Sequence, residues 1–297
     1  MTSIRDVGPL PQDQLSRMWL EWQVDERKPL STIRRRASVL RSVRNAGRAS
    51  RAEIEEWWES RRDRAAATRK VDLACLRAFY RWCQRFDHRK DDPTRRIDAP
   101  KVTPGMPHPI PQDDLDRYLE ATCGDGDEPR DPRLYKAGIL MAFGGLRVAE
   151  AAAADWGRLD PTPGDAYLEV TGKGDKTRRV PLEDDVVDEL GAGRTAGPAG
   201  TSIVTGTADF VTADALDTAV NRALRDLGSR ATAHHFRHYF GTRFYRTTRD
   251  LAATAAVMGH ANIQTTRGYA AAVDAAARQG ATGVAAGFKR RTNNKEK

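Results

Sequence analysis

The feature that most constrains this chain is a run of prolines one third of the way along it: Pro100, Pro104, Pro107, Pro109 and Pro111. Each fixes φ and removes a backbone donor, so regular structure cannot run through the stretch. A chain of 297 residues so interrupted has room for two domains of ordinary size. The expected division is a first domain at residues 1–98, a linker at 99–107, a second domain at 108–288 and a disordered basic tail at 289–297.

The first hundred residues read as all-helical. One helix is expected from about Gln12 to Trp22, carrying Leu15, Met18, Trp19 and Trp22. Ser31 is a good N-cap for a second helix, ending at Gly47. There Ile33, Ala37, Leu40 and Val43 share one face, and Arg34, Arg35, Ser38, Arg41, Ser42 and Asn45 cover the opposite arc. Ser50 with Glu53 forms a capping box for a third helix containing Trp57 and Trp58. A fourth, from about Thr68 to Phe86, repeats Val71, Cys75, Ala78, Phe79, Trp82 and Phe86 at helical spacing, and Asp92-Pro93 closes it. Residues 1–100 carry 23 Lys and Arg against 15 Asp and Glu, while the rest of the chain carries 26 of each. The whole excess of +8 therefore sits in the first third. Such a module suggests a polyanion partner, most often nucleic acid; a solvated surface is the plainer alternative. Arg34, Arg35, Arg41, Arg77 and Arg81 are candidate contacts to DNA phosphates.

Beyond the linker the pattern is mixed. Helices are expected at about Pro111–Thr122, Pro132–Phe143 and Leu146–Ala154. Tyr167–Thr171 alternates as a strand, and Arg178–Leu182 can pair with it across a GKGDK turn. Helical patterns resume at about Asp184–Leu190, Thr212–Leu227, His234–Thr247, Leu251–Met258 and from Ile263 onward. The fold class is thus mainly α with a small antiparallel β-sheet. The three cysteines, Cys75, Cys83 and Cys123, show no metal-ligand spacing and read as small apolar core residues. Arg5 and Asp6 stand where a signal peptide would be apolar, and no segment is long and apolar enough to span a membrane. We expect a cytoplasmic protein with no membrane partner.

Four short segments of the second domain stand out: GGLRVAE at Gly144–Glu150, TGKGDKTRRVPL at Thr171–Leu182, HHFRHYFGT at His234–Thr242 and MGHANIQTTRGYA at Met258–Ala270. Singly each is weak, since an HxxR pair or a GKG turn recurs by chance. Together, in this order, they resemble the tyrosine recombinases, the family of the Xer proteins, Cre and the lambda-type phage integrases. The resemblance covers about residues 10–275. It carries the family's catalytic set onto Arg147, Lys173, His234, Arg237, His260 and the tyrosine nucleophile Tyr269. The nine-residue step from His260 to Tyr269 fits as well.

That resemblance implies a helical, SAM-like core-binding domain joined to an α+β catalytic domain, the two clamping duplex DNA. It implies a site-specific recombinase that cuts and rejoins DNA through a 3′-phosphotyrosine at Tyr269. Four protomers would assemble on two specific DNA sites and exchange strands through a Holliday junction, being monomers or weakly associated without DNA. The protein would act at the bacterial nucleoid, with a directionality factor as a further partner. No cofactor is implied, because each phosphotyrosine bond is resolved by a 5′ hydroxyl. The chain has room for one helical domain before its linker, without the extra arm-binding domain of lambda-type integrases. Integration or excision of a phage or other mobile element is the favoured role. The alternatives are a Xer-type dimer resolvase, a type IB topoisomerase or a non-catalytic DNA-binding relative.

The residue types suit that chemistry on physical grounds. Phosphodiester cleavage needs a nucleophile, neutralisation of the phosphorane's charge and a proton for the leaving oxygen. Tyr269 supplies the first. Arg147 and Arg237 offer planar donor forks for the non-bridging oxygens. His234 and His260 can add donors or accept the phenol proton, whose ordinary pKa near 10 disfavours attack. Lys173 resembles the family's general acid; Lys176 is its close competitor. Glu150, one turn after Arg147, can face the same side; the resemblance implies that it orients the site, and a solvated carboxylate is the plainer alternative. His238 matches a position usually held by histidine in the resembled family, which implies a structural role, His235 has no assigned role, and His88 and His108 carry no signal. No acidic cluster has metal-ligand spacing and no P-loop is present, so neither a metal nor ATP is implied. Beyond Tyr269 lies an apolar group with Val284 and Phe288, expected to dock on a neighbouring protomer in a cyclic head-to-tail contact.

Overall fold

In a computed structural model describing residues 3–102, 105–123, 130–172, 176–191, 197–260, 266–271 and 273, the chain divides into two units, Met1–Thr103 and Pro104–Lys297. In the first, α1 (Gln14–Asp25), α2 (Leu30–Arg41), α3 (Arg51–Glu59) and α4 (Ala66–Arg85) pack around one apolar centre. The Asp13 carboxylate caps α1 by accepting from Ser16 N, and also accepts from Gly47 N. Ser50 and Glu53 form the reciprocal box that starts α3. Trp19, Leu20, Ile33, Leu40, Ile54 and Phe79 are buried, each contributing on the order of 1.5–3 kcal/mol. Asp72 is buried among them, held by Arg35 at 2.7 Å and Arg61 at 3.1 Å. A buried carboxylate is tolerable only with such partners.

Several boundaries differ from the sequence expectation, each for a local reason. Ser31 does not cap α2, which begins after Pro29. That helix stops at Arg41 rather than Gly47, because Ser42 and Val43 turn onto the carbonyls of Val39 and Leu40 and Asn45 adopts φ 49°. By contrast α4 ends at Arg85, within a residue of the expected Phe86 and well before Asp92-Pro93, where Asp87 takes φ 57°. Val71 and Phe86, expected in the apolar stripe of α4, are 51% and 43% exposed. Cys75, Phe79 and Trp82 of that stripe are buried as expected, and the buried face widens to Leu73, Leu76, Tyr80 and Cys83, because both α1 and α2 pack on α4.

The second unit contains α5 (Gln112–Cys123), α6 (Pro132–Ala142), α7 (Val148–Ala152), α8 (Asp184–Leu190), α9 (Ala213–Asp226), α10 (Ala233–Thr248) and α11 (Leu251–Met258), with residues 266–271 also helical. Its sheet is antiparallel in the order β1 (Leu159–Asp160), β2 (Tyr167–Thr171), β3 (Thr177–Pro181), with Leu168 opposite Val180 and Val170 opposite Arg178. The short β1 was not expected; it pairs Leu159 with Leu168. At the centre lies α6, whose Ala137 and Ile139–Ala142 are all buried, and α10 packs along it. The helix expected from Leu146 begins only at Val148, because Gly145 turns the chain at φ 63° and Arg147 is extended. Among the described residues no helix is long and apolar enough to cross a membrane. Val284, Phe288 and the basic tail lie outside the described residues.

Candidate active site

The turn at Gly144-Gly145 delivers Arg147 to the N-cap position of α7. From there its backbone N and its guanidinium both donate to Glu150, at 2.8 and 2.7 Å. The Glu150 side chain is 4% exposed, and it gathers two further arginines. Arg178 of β3 donates to both carboxylate oxygens, each at 2.9 Å, and Arg237 of α10 approaches to 3.6 Å. Burial works to raise this carboxyl, but the Arg178 hydrogen bonds, the Arg147 backbone bond and the nearby charges outweigh it and hold the pKa at about 2. Glu150 is therefore no solvated helix carboxylate.

The same arginines are tied down a second time. Arg178 Nε donates to Val257 O at 2.8 Å, Arg147 to Gly259 O at 3.0 Å, and Arg237 to Met258 O and Gly145 O. Val257, Met258 and Gly259 form the end of α11, where helix carbonyls lack intrahelical partners and the dipole favours cations. A guanidinium carries five N–H donors, so these bonds orient each fork without exhausting it. Three guanidinium charges against one carboxylate leave two positive charges in a small volume. Burial, then repulsion from Arg147, lowers Arg237 to about 10, still protonated at neutral pH.

Around this cluster stand the histidines and the tyrosine. His234 lies one turn before His238 on α10, their rings 4.3 Å apart and edge-on. The protein packed round His234, then the charges of Arg237, His235 and Arg147, lower its pKa. His260 follows the left-handed Gly259, and its Nδ1 lies 2.9 Å from Thr266 Oγ1. Burial, followed by Arg237 and Arg147, lowers His260 to about 4. Tyr269, at 2% exposure, stacks parallel to the His260 ring. Its Oη lies 3.0 Å from His238 Nδ1. Burial pushes the phenol up to about 12 against the opposing pull of Arg237 and Arg147. Gly241 makes the position possible: a Cβ there would sit 2.6 Å from Tyr269 Cζ and 2.7 Å from Met258 Sδ.

Five of the six motif residues, Arg147, His234, Arg237, His260 and Tyr269, thus meet in one place, brought from α7, α10, the end of α11 and helical residues 266–271. Lys173 lies outside the described residues; Lys176 is exposed, its carbonyl accepting from Gly172 N at 2.9 Å. Arg178 was missed by sequence reasoning. Its signal was available: it shares a strand face with buried Val180, and an inward-facing arginine needs a carboxylate. The contact between His238 and Tyr269 was also missed. His235 accepts from Thr232 N at the start of α10, which gives it a capping role. In the first unit Arg34 donates to Asp6 O, Arg35 pairs with Asp72, Arg41 donates to Pro9 O and Arg77 to Ile97 O, and Arg81 is exposed. Among the described residues, no group of three His, Cys, Asp or Glu gathers in a way that could hold a metal ion.

The comparisons with known proteins fit this geometry. The model of the Phage integrase family matches residues 109–275. The tyrosine recombinase XerD of Neisseria meningitidis serogroup A is 29% identical over 276 residues, covering 86% of this chain and 90% of its own. The XerH site-specific recombinase bound to palindromic difH substrate has a TM-score of 0.69 at 19% identity, covering 91% of this chain and 84% of its own. A lambda integrase tetramer bound to a Holliday junction has a TM-score of 0.61 at 17% identity, over 82% of this chain and 76% of its own.

Proposed function

Since the chain belongs to the phage integrase family, the tyrosine recombinases, we propose that it cuts and rejoins duplex DNA at specific sites through a covalent bond from Tyr269 to a DNA 3′ phosphate. The observation that carries the reading is the convergence of Arg147, Arg237, His234 and His260 on Tyr269 from elements distant in sequence. The scissile phosphate docks on the Arg147 and Arg237 donors. Tyr269 Oη attacks phosphorus, and the P–O5′ bond breaks as the new bond forms. Negative charge on the non-bridging oxygens grows along this path, so a preorganised positive cluster stabilises the transition state more than the ground state. Lys173 supplies the proton to the departing 5′ oxygen. Rejoining is the reverse, with a 5′ hydroxyl as nucleophile, and the phosphotyrosine conserves the bond energy between the two steps. Glu150 and Arg178 act by holding Arg147 and Arg237 in place.

The first unit adds affinity. Arginines on α2 and α4, among them Arg34, Arg35, Arg41, Arg77 and Arg81, carry the contacts to DNA phosphates. Each phosphate neutralised adds about −0.9 to the slope of log affinity against log salt. Four protomers act on two sites, a reading supported by the lambda integrase tetramer on its Holliday junction. Integration or excision of a mobile element is the role we assign. Dimer resolution is the second reading, favoured by alignment with XerD over 90% of that protein's length. Recombination between unlike sites supports the first, and between two identical sites the second.

The deciding experiment uses a DNA substrate nicked beside the cleavage site, which traps covalent protein by releasing the 5′ end. Wild-type protein should give a covalent adduct on denaturing gels, and Tyr269→Phe should bind the same DNA without one. An adduct with Tyr269→Phe removes Tyr269 from its role.

A further inference from the structure

Resting on the reading of Tyr269 as nucleophile, we infer that His238 is a further catalytic residue, the group that holds the phenol and receives its proton during attack. His238 Nδ1 and Tyr269 Oη are 3.0 Å apart, within the distance a general base needs. The other two histidines of the cluster are engaged differently. His260 Nδ1 meets Thr266 Oγ1 and its ring lies parallel to that of Tyr269, while His234 stands edge-on to the His238 ring. The arrangement is also built into the backbone. Gly241, one turn beyond His238, leaves the space that the tyrosine ring fills, and any Cβ there would displace the ring.

The state of the pair sets the direction of the hydrogen bond, from the phenol to the imidazole. Burial, then the charges of His234, His235, Arg237 and His108, lower His238 to about 4, so at neutral pH its imidazole is uncharged and offers one acceptor nitrogen. Among the described residues, these groups, with Tyr269 from helical residues 266–271, are the titratable and charged neighbours that reach it. In the resting site the proton stays on Tyr269, which guards against a stray phenolate. A docked phosphate adds negative charge beside the ring, and the phosphorane adds more. Both favour the imidazolium, so the proton moves as the reaction proceeds. As the Oη–P bond forms and the P–O5′ bond breaks, the phenol proton passes to His238 Nδ1 and Lys173 protonates O5′. On rejoining, the 5′ hydroxyl proton returns to Lys173, and His238 returns its proton to the departing Tyr269 oxygen.

The test is single-turnover cleavage of the nicked substrate by the full chain, with half-site binding measured alongside. His238→Ala should bind DNA as wild type does and cleave about 100-fold more slowly or worse, the scale of a lost general base. His238→Gln keeps an acceptor for the phenol but cannot hold its proton, and should be slow as well. Replacing Tyr269 with a fluorinated, more acidic tyrosine should then speed the His238 variants at least about 10-fold over their unfluorinated forms, with no comparable gain in the His238 background. A merely structural histidine would show no such background dependence. His238→Gln at near wild-type rate, or equal fluorine effects in both backgrounds, overturns the inference. Should His238→Ala lose DNA binding, the Gln variant with and without fluorine decides the matter alone. Absence of any adduct from wild-type protein is a different failure, that of the Tyr269 reading itself.

Discussion

Replacing Glu150 with glutamine should destabilise the second unit by an amount the structure lets one estimate. The carboxyl is held at about 2 against an ordinary 4.5, a gap corresponding to roughly 3 kcal/mol of stability at neutral pH. The side chain is 4% exposed, so little of this is screened by solvent. Gln removes the charge that balances Arg147, Arg178 and Arg237, and its NH2 would face guanidinium donors. Breaking a buried pair on one side costs about 3–5 kcal/mol, which agrees. For a unit of this size the melting point should drop by roughly 6–12 °C. The sign with pH follows from the depressed pKa: the contribution is complete above 4.5 and is lost as pH falls through 4.5 towards 2, with about 1 kcal/mol gone by pH 4. His238 and His260, both lowered to about 4, also weaken the folded state as pH falls below 6.5. Subtracting the Glu150→Gln curve from wild type at each pH removes that shared component. Hydrogen exchange of α6 and α10 peptides in urea reports this unit without counting the first. A difference below about 0.5 kcal/mol at pH 7, or one that does not narrow between pH 6 and pH 4, refutes the reasoning.

Other outcomes follow from the same geometry. Arg147→Ala or Arg237→Ala should slow cleavage of the nicked substrate by at least about 100-fold while half-site binding falls far less; near wild-type cleavage would remove that arginine from the site. Lys173→Ala should be rescued by a substrate with sulfur at the 5′ bridging position, because a thiolate leaves without a proton. Rescue of Lys176→Ala in its place would transfer the role to Lys176. Truncation after residue 280 should leave half-site binding intact and abolish paired complexes and recombination, as measured by native gel and product analysis. A truncated chain that still recombines excludes docking of the Phe288 segment on a neighbouring protomer.

What the sequence made legible was decided by the range of the forces involved. Capping is a contact over three residues, so Ser50 with Glu53 could be read directly. Periodicity finds α9, because Leu216, Val220 and Leu224 recur every four residues on its buried face. On α4 it found Cys75, Phe79 and Trp82 but not the full buried arc, since two helices cover that helix and the arc is wider than one stripe, while Val71 and Phe86 stay exposed. The ends of α2 and α4 depend on left-handed turns at Asn45 and Asp87, residues compatible with many other conformations. The motif residues stood out by type and order, but their partners did not. Arg147 meets Gly259 across 112 positions and Arg237 meets Gly145 across 92. No local pattern encodes pairings so distant. Arg178 and the role of Gly241 became visible only once β3, α10 and α11 were seen side by side.

The arrangement of the arginines also explains why so much of the cluster is neutral carbonyl. Held by carboxylates alone, three guanidinium groups would lose the excess charge that a phosphate requires. Left without partners, they would repel one another and bear the cost of burial. One carboxylate and the carbonyl end of α11 solve both problems, since a carbonyl accepts a hydrogen bond without cancelling a charge. The forks are fixed before DNA arrives, and two positive charges remain. A phosphodiester brings one negative charge and the phosphorane about one more, so on the proposed reading the cluster is better matched to the transition state than to bound DNA. On the proposed reading, the same logic accounts for a nucleophile at rest. With Tyr269 raised to about 12 and its neighbouring histidines uncharged, the site keeps the phenol protonated. On that reading, reactivity is conferred by the phosphate itself, at the moment its charge enters the cluster.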